Sequence, residues 1–388
     1  MGDVRRSNLA LVLGKIAEAP AGTHPSRAQV AAASGLTKAS VSSLVGDLLD
    51  AGIIREVGLN PQGRGRPGVG LVLDPARAVL GMEINVDYIA AAVVNLPGTV
   101  LVRQVLERDN RGGRHAPVLA ALAGLAARVR SEAAEQGVDV LGGGLAVPGL
   151  VDPAAARVLT APNLGWENVD LDLAALLPEA PLGVALFNEA NAAALAELRR
   201  RPGSASDFLF VSGEVGVGGG LVIGSELFTG PAGHAGEVGH VVVEPEGGRC
   251  SCGGTGCLET VAGQDAIFAA AGITAASRSA GMAALLAALG AGEPRALAAV
   301  GRAGRHLGIA LASTCRVVDI GSVVLGGHFA VLDPWLRGPL LAGLENYAPG
   351  RFSSAQVAVT AVGESGALLG AAGSVIRSLV DAPHRIQA

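Results

Sequence analysis

The sequence predicts a helix-rich winged helix-turn-helix module followed by a two-lobed α/β body. Three observations predict it. Apolar residues recur at helical spacing through the first fifty positions, with a glycine turn between two capped helices. Short strand-like runs interleaved with helical ones then begin near Val79, and a similar second set opens at Phe208. At 388 residues the chain is long enough for two or three cores, and its abundance of Ala, Gly, Val and Leu with few aromatics suits packed α/β layers.

From Ser7 to Ala19 the residues Leu9, Leu11, Val12, Leu13 and Ile16 fall on one broad face, which predicts a first helix. Ser26-Arg27-Ala28-Gln29 is a capping box, in which hydroxyl and amide satisfy free backbone N–H groups; the helix it starts runs to Ser34 and stops at Gly35. Thr37 caps a third helix, Lys38 to Asp50. Its buried stripe is Val41, Leu44, Val45, Leu48 and Leu49, while Lys38, Ser40, Ser42 and Ser43 lie largely off it. Ile53–Val57 and Gly70–Leu73 are strand candidates enclosing a wing from Gly58 to Gly68. The boundaries that follow are a DNA-binding module over 1–62, an arginine-containing wing or linker over 63–77, and a ligand-binding body over 78–388.

A short polar and basic helix start is what major-groove insertion needs, so Thr37, Lys38, Ser40 and Ser42 are the candidate operator-DNA contacts. Gly63-Arg64-Gly65-Arg66-Pro67 resembles an AT-hook core: Arg64 and Arg66 alternate with residues too small to obstruct approach to a narrow minor groove. A three-helix packing module and a solvated basic turn are the alternatives.

In the body, Val79–Ile84, Ile89–Val94 and Gly142–Val147 interleave with a helix from Ala116 to Glu135. Phe208–Val211 and Gly219–Ile223 open the second half. Two such lobes imply an open α/β fold with its ligand in the crevice between them. The net charge of −5 argues against a nucleic-acid coat protein, yet up to Pro67 the cations outnumber the acids. No apolar run approaches the roughly 18 residues of a membrane span, and the polar-interrupted start does not resemble a signal peptide. A cytoplasmic protein with no membrane partner is expected.

Three of the four cysteines and a histidine fall within one loop, Gly236-Glu237-Val238-Gly239-His240 and then Cys250-Ser251-Cys252-Gly253-Gly254-Thr255-Gly256-Cys257-Leu258-Glu259. Thiolates and a neutral imidazole suit Zn²⁺ in a closed tetrahedral site, and four protein donors leave no position for an activated water. A redox pair is the alternative. Cys315 is expected to be a small buried residue.

These stretches resemble the signature of the ROK family, which takes in bacterial sugar kinases and sugar-responsive repressors. The resemblance implies an actin-like, hexokinase-like, duplicated ribonuclease-H-like fold, zinc on His240, Cys250, Cys252 and Cys257, and sugar contacts from Glu237, His240 and Glu259. ASGLTKASVSSLVGDLLDAGIIRE also resembles the winged helix-turn-helix of the family's repressors. Pro148-Gly149-Leu150-Val151-Asp152 and Ala161-Pro162-Asn163-Leu164-Gly165-Trp166 resemble its sugar-side loops, adding Gly149 and Asn163 to the pocket.

A kinase of this fold must cradle phosphates on glycine and threonine and must position a carboxylate base. The family's Asp-Ile-Gly-Gly-Thr is here Glu83-Ile84-Asn85-Val86-Asp87, and its Gly-Thr-Gly loop is Glu214-Val215-Gly216. Bulk and negative charge replace glycine and hydroxyl. The family's Asn-Asp-x-Asn becomes Asn188-Glu189-Ala190-Asn191, where the longer side chain displaces the base by about 1 Å, enough to cost on the order of a hundredfold in rate. Asn188 and Glu189 still offer hydrogen bonds to a hydroxyl, and Asn-Glu here resembles the family's xylose-responsive repressors.

The expectation is therefore a non-enzymatic regulator, a repressor released from operator DNA by a monosaccharide such as xylose or glucose, acting as a homodimer or dimer of dimers. An active sugar kinase with an appended DNA-binding module is the second reading, and a sensor of a partner protein the third.

Overall fold

The structure, a computed structural model, describes residues 2–20, 22–58, 69–201 and 207–386. Helix α1 (Asp3–Ala17) starts a turn earlier than its apolar spacing predicts, because its first turn is a solvent-facing set of charges with Asp3 at the helix's positive end. α2 (Arg27–Ser34) carries the capping box between Ser26 and Gln29, and ends on Gly35 at φ 72°, a left-handed conformation that only glycine adopts without strain. In α3 (Lys38–Asp50) Thr37 Oγ1 accepts from the Ser40 amide at 3.1 Å. β1 (Ile54–Gly58) and β2 (Val69–Leu73) pair antiparallel. The segment joining them, with Arg64 and Arg66, lies outside the described residues.

The body repeats one arrangement twice. In the first sheet, β3 (Arg77–Ile84), β4 (Tyr88–Asn95) and β5 (Val100–Glu107) form an antiparallel meander, and β6 (Asp139–Val147) and β10 (Val184–Asn188) add parallel to β3. In the second, β11 (Phe208–Gly213), β12 (Val217–Ile223) and β13 (Glu226–Phe228) are antiparallel, and β14 (Val323–Gly326) and β15 (Val357–Val359) add parallel to β11. Strand order is the same in both lobes, counted from the meander edge. A three-stranded flap of β7 (Leu150–Asp152), β8 (Arg157–Ala161) and β9 (Trp166–Asp170) hangs from the first lobe.

Each lobe has its own core. α4 (His115–Glu135) buries Leu122, Leu125 and Val129 against the first sheet. Behind the second sheet pack α6 (Glu259–Ala262), α7 (Gln264–Ala271), α8 (Arg278–Gly290), α9 (Pro294–Val318) and α10 (Gly327–Tyr347), with Phe329, Leu336 and Leu340 fully buried. Cys315 is buried there, as expected. Among the described residues no single helix is long and apolar enough to cross a membrane.

α5 (Glu189–Arg200) and α11 (Gly366–Asp381) pack side by side between the sheets, fastened where Arg199 donates to Gly370 O and Ser374 Oγ. Leu379 and Val380, at the far end of α11, share a core with Leu9, Val12, Leu13, Val41 and Leu48 of the three-helix unit. That unit is therefore seated on the first lobe by apolar burial rather than tethered by a linker alone.

Candidate functional site

One cleft between the lobes collects all seven residues predicted to meet a ligand: Gly149, Asn163, Asn188, Glu189, Glu237, His240 and Glu259. They arrive from five separate stretches of chain. Asn188 ends β10 and caps α5. Its Oδ1 accepts from the Asn191 amide at 2.9 Å and its Nδ2 donates to Gly149 O at 2.8 Å, leaving one N–H and one lone pair for a ligand. Glu259 opens α6; Oε2 accepts from the Val217 amide and Oε1 from Ser251 Oγ, both at 3.1 Å. A Cβ at Gly216 would fall 2.0 Å from that Oε2, so the β11–β12 turn must be bare there for the carboxylate to seat.

His240 joins the cleft to the cysteines. Its Nδ1 lies 3.6 Å from Cys250 Sγ, while Nε2 faces Glu237 Oε2, 3.6 Å away and beyond hydrogen-bond reach. Cys252 Sγ and Cys257 Sγ are 3.8 Å apart, and the ligand atoms of His240, Cys250, Cys252 and Cys257 all lie within 4.8 Å of one another. Tetrahedral zinc with bonds of about 2.3 Å to sulfur and 2.0–2.1 Å to nitrogen requires edges of about 3.8 Å and 3.6 Å. The donors fit a metal ion of that size. Burial holds the Glu237 carboxyl above its ordinary range.

The opposite wall is different in kind. Glu83, 2% exposed, accepts from Tyr88 Oη at 2.6 Å, and burial pushes its pKa up to about 7. Glu189 Oε1 accepts from Asn85 Nδ2 at 3.1 Å; burial first, then the charges of Glu214 and Glu83, raise its pKa well above the carboxylate range. Ser212 and Glu214 stand beside them in the same cleft.

One sequence reading needs correction. Asp87, expected to repel phosphate, does not line this cleft: Arg111 and Arg278 hold it outside. The carboxylates that line the cleft on this side are Glu83, Glu189 and Glu214. Trp166, which closes the Ala161–Trp166 loop, is 3% exposed and donates from Nε1 to Gly113 O at 2.9 Å, because its indole fills the first lobe's core. Ser251 and Ser212 went unread; a serine between two metal-ligand cysteines carries no periodicity to betray it.

On the three-helix unit, Thr37, Lys38, Ser40 and Ser42 are all exposed at the start of α3. Thr37 Oγ1 and Ser40 Oγ also bond each other at 2.9 Å.

Comparison with known proteins places this geometry. Residues 79–377 match the ROK family. The chain belongs to the ROK family. It is 34% identical over 245 residues to the xylose repressor of Caldicellulosiruptor bescii, a match covering 63% of this chain and 61% of the repressor. A solved ROK family transcriptional regulator, a homolog of the E. coli MLC protein, superposes with a TM-score of 0.77 at 26% identity over 99% of both chains. A ROK family glucokinase from Streptomyces griseus, in complex with glucose and AMPPNP, gives a TM-score of 0.65 at 28% identity, covering 76% of this chain and 98% of the glucokinase. The two-lobed, actin-like and hexokinase-like body is thus the ROK fold.

Proposed function

We propose that the chain is a sugar-responsive, DNA-binding transcriptional repressor that binds a monosaccharide without phosphorylating it. One observation carries this reading: the cleft keeps hydroxyl-binding carboxylates on the zinc-loop side and sets three more, buried Glu83 and half-buried Glu189 and Glu214, on the side where the family's phosphate loops align. Paired carboxylates and amides suit a polyol. A triphosphate entering beside them meets a wall that already disfavours negative charge: burial, and for Glu189 the neighbouring carboxylates, hold Glu83 and Glu189 above the usual carboxylate range, and the same setting opposes the charges of the phosphates.

Zn²⁺ on His240, Cys250, Cys252 and Cys257 supplies structure rather than chemistry, since four protein donors close the site. It fixes the loop from which His240 and Glu259 reach a sugar held with Gly149, Asn163, Asn188, Glu189 and Glu237. The module over 1–62 reads the operator through Thr37, Lys38, Ser40 and Ser42. Arg64 and Arg66, in the linker over 63–77, add minor-groove contacts, and the body over 78–388 senses the effector. Similarity to a transcriptional regulator over 99% of both chains supports that division, and similarity to a xylose repressor supports a pentose or hexose effector. Two-fold operators favour a homodimer, or a dimer of dimers.

α11 is a physical link between the two ends. Gly366 and Ala367 line the cleft, and Leu379 and Val380 sit in the DNA module's core, about 20 Å away along the same helix. A sugar can release DNA only by as much as its affinity differs between DNA-competent and DNA-incompetent states, typically 5- to 150-fold. The test is operator titration with and without each of a panel of monosaccharides. The sugar that binds shifts operator affinity by a factor in that range, and operator DNA shifts sugar affinity by the same factor. A sugar that demonstrably binds and leaves operator affinity unmoved overturns the reading.

An active kinase is the second reading, favoured by similarity to the glucokinase across 98% of its length. Turnover of ATP with the bound sugar at roughly 1 s⁻¹ or faster decides for it.

A further inference from the structure

The turn between β3 and β4 carries Asp87 away from the cleft wall and against the opposite lobe. Its Oδ2 accepts from Nη1 of Arg278 at 2.8 Å. Arg278 is the first residue of α8, in the second lobe, where its Nη2 and Nε also donate to the two oxygens of Asp265 at 2.8 and 3.1 Å. From the first lobe, Arg111 donates to Asp87 Oδ1 and, at 3.0 Å, to Asp109. Two arginines and three aspartates thus form one network across the lobes. The Arg278 side chain is 11% exposed, so its bond to Asp87 is screened less than a surface pair.

The network also touches the cleft wall indirectly. Arg111 precedes Gly112 and Gly113, and Gly113 O accepts from Trp166 Nε1. Trp166 begins β9 directly after the turn that places Asn163 in the cleft. A ligand pressing on Asn163 can therefore reach Arg111 through two short, packed steps.

We propose that the Asp87–Arg278 ion pair is a strap that holds the two lobes together at the cleft in the ligand-free protein, and that the 162–166 loop adjusts it. Charge makes it reversible. Opening returns both ions to water, so separation regains hydration that an apolar seam would not. The position is apt because Asp87 stands where the family's phosphate loop carries a hydroxyl, so here the turn is free to serve the opposite lobe. The link from strap to effector rests on the sensor reading above; the strap itself does not.

The test uses the full-length, ligand-free chain with spin labels at exposed Arg128 in α4 and Arg316 in α9, attached through non-cysteine chemistry that spares Cys250, Cys252 and Cys257. At low salt the wild type shows one short interlobe distance. Arg278→Gln and Asp87→Asn each add a longer population, whereas Asp265→Asn, which leaves the Asp87 bond intact, adds less. Folded variants, by circular dichroism, with an unchanged distance distribution overturn the strap. If neither variant folds, wild type carries the test: at about 1 M salt, where the screening length is about 3 Å, lengthening supports the strap and constancy overturns it. Because no sugar is present, a strap that opens as expected beside an operator affinity that no sugar moves refutes the sensor alone.

Discussion

The two walls of the cleft are both lined with carboxylates, and they hold them in opposite ways. On the zinc-loop side Glu259 is gripped by a backbone amide and a serine hydroxyl, beside a histidine and three cysteines whose donor atoms lie within 4.8 Å of one another and could hold a metal ion. On the other side Glu83 and Glu189 are buried among like charges, with a tyrosine and an asparagine as their protein donors, and their pKa values rise. A braced carboxylate is poised to accept a ligand's hydroxyl. A crowded one holds its own proton and resists further negative charge. Under the function proposed above, one fold keeps a polyol site and disfavours phosphate beside it by changing a handful of side chains on the turns that flank it.

The comparison breaks most readily at the metal. Cys252→Ser removes one of four donors, and because metal binding is coupled to folding of the loop that carries it, the variant is expected to lose zinc from about one per chain and several kcal/mol of stability. Metal analysis with thermal melting checks this. A folded, zinc-free protein with unchanged ligand affinity removes the brace from the account.

A smaller effect separates the walls directly. Glu259→Gln replaces a carboxylate acceptor on the braced side, and hydrogen bonds to charged groups are worth about 1.5–3 kcal/mol, so sugar affinity measured by calorimetry is expected to fall roughly 10- to 100-fold. Glu214→Gln, on the crowded side, is expected to change it by less than about threefold. Equal losses in the two variants mean that Glu214, and not Glu189 alone, meets the sugar from the crowded side.

How much of this was legible beforehand depends on what kind of signal each part leaves. Caps and turns were readable to the residue: Ser26 with Gln29, Gly35 and Thr37 bound their helices where local chemistry demands. The seven cleft residues could be named because their motifs resemble the family's, although nothing in their spacing shows that Gly149, Asn188 and Glu259 converge. Long-range partnerships were not readable. Asp87 looked like a phosphate-repelling acid until Arg278, 191 positions away, was seen to hold it. Nor does the sequence show that Trp166, at the end of a sugar-side loop, packs into the first lobe's core. The helix-rich second half left little trace in α7, α8 and α10, which are too apolar overall for one face to stand out; α9 does carry a distinct apolar face and went unread.

The finest prediction concerns the proton on Glu83. Its carboxyl titrates at about 7 in the folded chain, raised from an ordinary 4.5 chiefly by burial. Between those values the folded state holds a proton that the unfolded state has released, so stability is fully present below about pH 4.5 and falls as pH rises through 7. Glu83→Gln keeps a neutral side chain that can still accept from Tyr88, and removes the titration. From pH 5 to 8 the wild type is expected to lose on the order of 1–2 kcal/mol more stability than the variant, read from urea midpoints at each pH. Parallel curves for the two proteins mean that the wall admits enough water to ionise Glu83 freely. In that case the crowded side is not a low-dielectric barrier to phosphate, and exclusion of nucleotide must come from the shape of the turns rather than from their charge.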